Sequence, residues 1–140
     1  MSSDCRLILD HKHPSSGRTL FLRLDETVCQ FDGISPSSRV IESHVGGNQV
    51  KDDLSDLLAD AEQRLGMSSG TLEIDREFNV SIDNENTPIQ VYLARFTAID
   101  PPQEQLAERE GKFIAMTDAR RLPPTELELL RLAYSAIMED

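Results

Sequence analysis

The stretch from Glu42 to Met67, ESHVGGNQVKDDLSDLLADAEQRLGM, constrains this chain more than any other: a strand end, a Gly-Gly turn, an acidic amphipathic helix and a glycine stop. Leu54, Leu57, Leu58, Ala61 and Leu65 recur at three- and four-residue intervals, the spacing of one buried helical face. Asp52 and Asp53 fall in the first turn, where carboxylates complement the positive helix end, and Gly66 follows the last apolar position as a left-handed cap would. The spacing predicts a helix from about Lys51 or Asp52 to Leu65.

Around this helix the chain reads as a mixture of strands and one further helix. Cys5 to Asp10 and Arg18 to Leu24 are apolar runs expected to pair as a hairpin across the HKHPSSG loop, with His11 and His13 on an exposed turn. Asp25 to Arg39 reads as a long connection with one short strand around Val28 to Phe31, and Arg39 to Val45 as a strand entering Gly46 and Gly47. Beyond the helix, Thr71 to Ile82 and Ile89 to Ile99 are strands expected to pair antiparallel across the Asp83 to Asn86 turn. Asp100 to Glu110 reads as a solvated loop with room for a helical turn, and Gly111 to Met116 as a last strand. Pro123 and Pro124 then introduce a closing helix, with Thr125 and Glu128 as a capping box and Leu127, Leu130, Tyr134 and Ile137 as its apolar stripe, widened by Leu129, Leu132 and Ala133. Strands and helices in this order predict an α+β fold, and residues 1–140 suit one domain.

Charge narrows the classes of partner. A formal charge of -11 argues against a general nucleic-acid binder, whose affinity depends on Lys and Arg displacing counterions from phosphates. Basic or metal partners suit the balance better. No apolar run approaches the roughly 20 residues that span a bilayer, so no membrane partner is expected. The opening Met-Ser-Ser-Asp lacks the basic and apolar parts of a signal peptide. A cytoplasmic location is expected, with Cys5 and Cys29 as reduced thiols.

The layout resembles the Nudix family over nearly the whole length. The resemblance is carried by Gly46 and Gly47, by the helix closing on Gly66 and Met67, by the VYLARF strand at Val91 to Phe96, and by GKFIAMTDARRLPP before the final helix. It implies a mixed sheet sandwiched between helices, and a diphosphate-cleaving activity in which a divalent metal sits on the Nudix helix. The family box is Gly-x5-Glu-x7-Arg-Glu-aliphatic-x-Glu-Glu-x-Gly-aliphatic, whose glutamates offer a magnesium ion the hard oxygens it prefers. Matched backwards from Gly66 and Met67, the box arginine falls on Ala59, the glutamate after it on Asp60, and the paired glutamates on Gln63 and Arg64. Gly47 stands about two residues too close to Gly66, and no glutamate occupies the early box position, although Asp52 or Asp53 can partly stand in for it. A fixed cation at Arg64 repels the metal the family would place there.

Two functions follow as expectations. The first is a Nudix-fold protein without standard metal-dependent hydrolysis, acting as a ligand-sensing or protein-interaction module that needs no cofactor and binds a protein or a small anionic ligand. Arg18, Arg23 and Arg95, on strands that border the sheet's cleft in the Nudix layout, are its candidate ligand-binding residues. The alternative is a divergent hydrolase cleaving a nucleoside diphosphate-linked substrate. There Mg or Mn would be held by Asp53, Asp56 and Asp60 on the polar helical face, with Asp60, Glu108 and Glu110 as candidate catalytic acids. A different small α+β fold is the remaining reading. Tyr92 is expected as a half-buried strand residue, and Val91 to Phe96 would support edge pairing if left uncovered.

Overall fold

The computed structural model describes residues 5–24, 26–31, 33–45 and 54–138. Six strands, β1 (Cys5–Lys12), β2 (Thr19–Arg23), β3 (Arg39–Val45), β4 (Leu72–Asn84), β5 (Thr87–Phe96) and β6 (Lys112–Ile114), form one sheet in the order β3-β4-β5-β1-β2-β6. The β1–β5 pair is parallel and the other pairs are antiparallel. Three helices, α1 (Ser55–Arg64), α2 (Gln103–Ala107) and α3 (Pro124–Met138), and a 3₁₀ helix over Met116–Arg121 complete the described architecture.

The alternation of β1 and β2 decides which helix covers which face. Leu7, Leu9 and Leu22 meet Ala61, Leu65 and Leu106 in one apolar cluster, under α1 and α2. Ile8 and Phe21 meet Leu129, Leu130 and Ala133 in the other, under α3. Both strands are buried on both sides, which is why they read as nearly unbroken apolar runs. In β4 the even-numbered residues change sides: Leu72 and Ile74 belong to the α1 cluster, but Phe78, Val80 and Ile82 belong to the α3 cluster. The cause is a register shift between Asp75 and Val80, where extra residues are inserted against β5 and the pleat is inverted.

The predicted hairpins form as expected. Glu85 and Asn86, with φ of 54° and 71°, make the two-residue turn between β4 and β5, and the Asn86 N–H donates to Asp83 Oδ1 at 2.9 Å. Several local expectations are corrected by partners distant in sequence. His11 does not lie on an exposed turn: β1 runs on to Lys12, and His11 is 1% exposed with its Nε2–H donating to the Ala98 carbonyl at 2.9 Å. Val28 to Phe31 form no strand, only an isolated bridge between Gln30 and Leu7. Tyr92 is buried rather than half-buried, because β5 lies between β4 and β1, and for the same reason Val91 to Phe96 offers no edge.

The last helix is rotated from its predicted stripe. Glu126, Leu129, Leu130, Ala133 and Ile137 face the sheet, while Tyr134 is exposed. Thr125 lies inside the helix, and its hydroxyl donates to the Ser38 carbonyl at 2.6 Å instead of capping the first turn. Among the described residues no helix is long and apolar enough to cross a membrane.

Candidate functional site

The exposed face of α1 is the first place to look for chemistry, because its apolar face is spent on the sheet. The helix ends in a Schellman motif: Met67 N–H donates to the Glu62 carbonyl at 2.8 Å, Gly66 N–H to that of Gln63 at 3.0 Å, and Gly66 takes φ of 70°. Glu62 is turned inward and 6% exposed, accepting the Leu72 N–H on Oε2 at 3.0 Å. That carboxylate fixes the helix to the start of β4. Arg109, from the turn after α2, donates from Nε to the Leu65 carbonyl at 3.0 Å and so ties the 100–111 loop to the same helix end.

On the outer face, Asp60 and Arg64 form an i,i+4 ion pair, Oδ2 to Nε 3.0 Å, with both side chains about half exposed. The Arg64 guanidinium also lies 5.0 Å from the centre of the Phe31 ring. Asp56 is exposed one turn earlier, and Asp53 lies outside the described residues. Glu108 and Glu110 are exposed on the turn that carries Arg109. Among the described residues no group of three or more His, Cys, Asp or Glu is placed to hold a metal ion, so Asp56, Asp60, Glu108 and Glu110 are not gathered into one.

The three arginines proposed as ligand contacts are dispersed. Arg95 lines a cavity of about 610 Å³ with Lys12 and Arg76, facing the acids Asp10, Glu73, Asp75 and Glu77, and it contacts Glu73 at 3.5 Å. Arg18 lines a second cavity, about 400 Å³, with His11, His13, Asp100 and Gln103; there His13 Nε2 stands 3.6 Å from Asp100 Oδ1. Arg23 lies on β2, opposite Lys112 of β6, and lines neither. Cys29 is fully buried and forms no disulfide; burial, and then the nearby Glu126 charge, push its thiol far above the ordinary range and keep it neutral.

No family model matches the sequence, and no curated protein matches it. Among solved structures, the crystal structure of the C. elegans Ap4A hydrolase is similar over 96% of this chain and 96% of its own, with a TM-score of 0.56 and 17% sequence identity. The chain has the Nudix fold. Its six-stranded mixed sheet with helices on both faces agrees with the expected mixed sheet between helices; Gly46, Gly47 and Asp52 lie outside the described residues. Within the Nudix fold, α1 is the helix that the sequence resemblance aligns with the family's box. Three residues that secure the helices, Glu62, Arg109 and Glu126, have no mark in the sequence, since each meets a partner outside its own element.

Proposed function

We propose that this protein is a Nudix-fold binding module, for a small anionic ligand or a protein partner, that does not carry out the family's metal-dependent hydrolysis. The observation that carries this reading is the Asp60–Arg64 pair. Aligned on Gly66 and Met67, Arg64 and Gln63 stand at the two adjacent box glutamates, so the acid that remains, Asp60, already has a cation 3.0 Å away. A magnesium ion takes several hard oxygen ligands, and the positions matched to the three clustered box glutamates offer one engaged carboxylate, with Asp56 a turn away. The described donor set does not fit the metal.

Glu62 sharpens the argument. It stands at a variable box position, faces inward and serves the β4 backbone, so it is not available to a metal on the outer face. The helix has kept the carboxylate that holds the fold and exchanged those that would hold the ion.

A titration of the full chain with MgCl₂ and MnCl₂, followed by ¹H–¹⁵N NMR, tests the reading. The Asp60 and Arg64 amides should stay in place at low millimolar magnesium and escape manganese broadening. A panel of nucleotide diphosphate compounds, headed by Ap4A because the similar structure is an Ap4A hydrolase, should show no turnover with either metal. Saturable shifts at these amides together with turnover would replace the binding module by the divergent hydrolase.

A further inference from the structure

We propose that Arg23 and Lys112 form a binding site for a small phosphate-bearing molecule, on the face of the sheet opposite α1. The two residues are direct partners across the antiparallel β2–β6 pair, so their side chains leave the same face with Cβ atoms about 5 Å apart. Their neighbours identify that face. Phe21 and Ile114 pack into the cluster under α3, Leu22 and Phe113 into the cluster under α1, and alternation places Arg23 and Lys112 on the α3 side.

Two cations held directly opposite one another repel, and a fold normally answers with an acid. This chain has acids in surplus, 25 against 14 basic residues, yet among the described residues neither Arg23 nor Lys112 has an ion pair or a side-chain hydrogen bond. Arg23 Nε is buried and without a hydrogen-bond partner, the only nitrogen of a charged side chain in that state among the described residues. An orphaned donor on a fixed charge is costly, and with Nε buried and the residue partly exposed it is the two Nη groups that can offer their fork to an external acceptor.

The chemistry of that acceptor follows from the charges. A lone carboxylate would neutralise one of the two cations, whereas a phosphate group carries close to two negative charges at neutral pH and several acceptor oxygens. One oxygen pair meets the planar Arg23 fork while another accepts from the Lys112 ammonium. Lys112 is exposed on an edge strand and neither residue lines either of the two cavities described above, so the group is taken from solution at an open face. This inference goes beyond the reading of α1 and does not depend on it, because the two sites lie on opposite faces and report through different amides.

The test is a ¹H–¹⁵N titration of the full chain at constant ionic strength with inorganic phosphate, and in a parallel arm with glycerol 3-phosphate, using chloride as the control. Saturable shifts are expected at the Arg23 and Lys112 amides and at the Arg23 Nε resonance. Lys112→Gln, at an exposed position, should weaken binding about fivefold or more while leaving the remaining spectrum in place. Arg23→Gln should remove it, and Arg23→Lys, which keeps the charge without the fork, should restore part. Tighter binding of the ester identifies a phosphomonoester, and tighter binding of the ion identifies free phosphate. Shifts that rise linearly with concentration, that chloride reproduces, or that persist in Lys112→Gln and Arg23→Gln would overturn the proposal.

Discussion

Helices α1 and α3 cover opposite faces of one sheet, and each turns a single buried glutamate onto the backbone of another segment. Glu126 of α3 accepts from the Val28 N–H at 2.9 Å and the Thr27 hydroxyl at 3.0 Å, whereas Glu62 of α1 accepts from the Leu72 N–H alone, among the bonds described, at 3.0 Å. The helices differ more in how deeply they are seated. α3 buries seven of its fifteen residues and α1 two of its ten, so one is a wall of the fold and the other a helix laid on its surface. The latter is also the helix on which the sequence resemblance to the Nudix family would place the box. Its outer charges are thus the ones a sequence can exchange while the fold persists.

The largest effect that would break this contrast lies at Glu126. Replacing it by Gln keeps the volume and one acceptor oxygen, but removes the negative charge shared by two donors on Oε1 and puts an amide NH₂ in place of the other carboxylate oxygen. A loss of about 1.5–3 kcal/mol is expected, the range for hydrogen bonds to a charged group, measured by urea unfolding followed by far-UV circular dichroism. A loss below about 1 kcal/mol would mean that the carboxylate is not what fastens α3 to the segment after β2.

Glu62→Gln should come second, with a loss of about 1–2 kcal/mol, because one donor is at stake rather than two. The Leu72 amide should also exchange its hydrogen faster in this variant, since that N–H has no other acceptor described. Equal losses at Glu62 and Glu126 would erase the difference between the helices. Neither residue is found by reading the sequence, and the reason is physical. A glutamate in a charged stretch reads as a solvated residue, and its burial is set by a partner 10 positions away in one case and 98 in the other.

What was legible follows the same rule. The α1 stripe at Leu54, Leu57, Leu58, Ala61 and Leu65, the left-handed Gly66, the Asp83 to Asn86 turn and the runs of β1 and β2 are all determined by neighbours within a few residues. The rotation of α3 away from Tyr134 and the burial of His11 depend on segments that arrive from elsewhere, Ser38 and Thr27 in one case and Ala98 in the other. The candidate site was legible only in part for the same reason. Spacing identifies which charges lie on the polar face of α1, but not that Arg64 closes on both Asp60 and Phe31, nor that Arg23 faces Lys112.

The smallest effect is the most informative about α1. Asp60 and Arg64 are about half exposed, so solvent and salt screen their pair, and Asp60→Asn should cost at most about 0.5 kcal/mol. Arg64→Gln loses the same pair and also the contact with Phe31, which adds about 0.5–1 kcal/mol for a cation over a ring at a partly exposed site. The difference between the two variants, read from their urea midpoints at low and high salt, separates the terms: the Asp60→Asn loss should vanish at high salt, whereas part of the Arg64→Gln loss should persist. If instead Asp60→Asn were as damaging as Glu62→Gln, the outer face of α1 would be part of the wall, and the Asp60–Arg64 pair would have to be explained by folding rather than by what the helix binds.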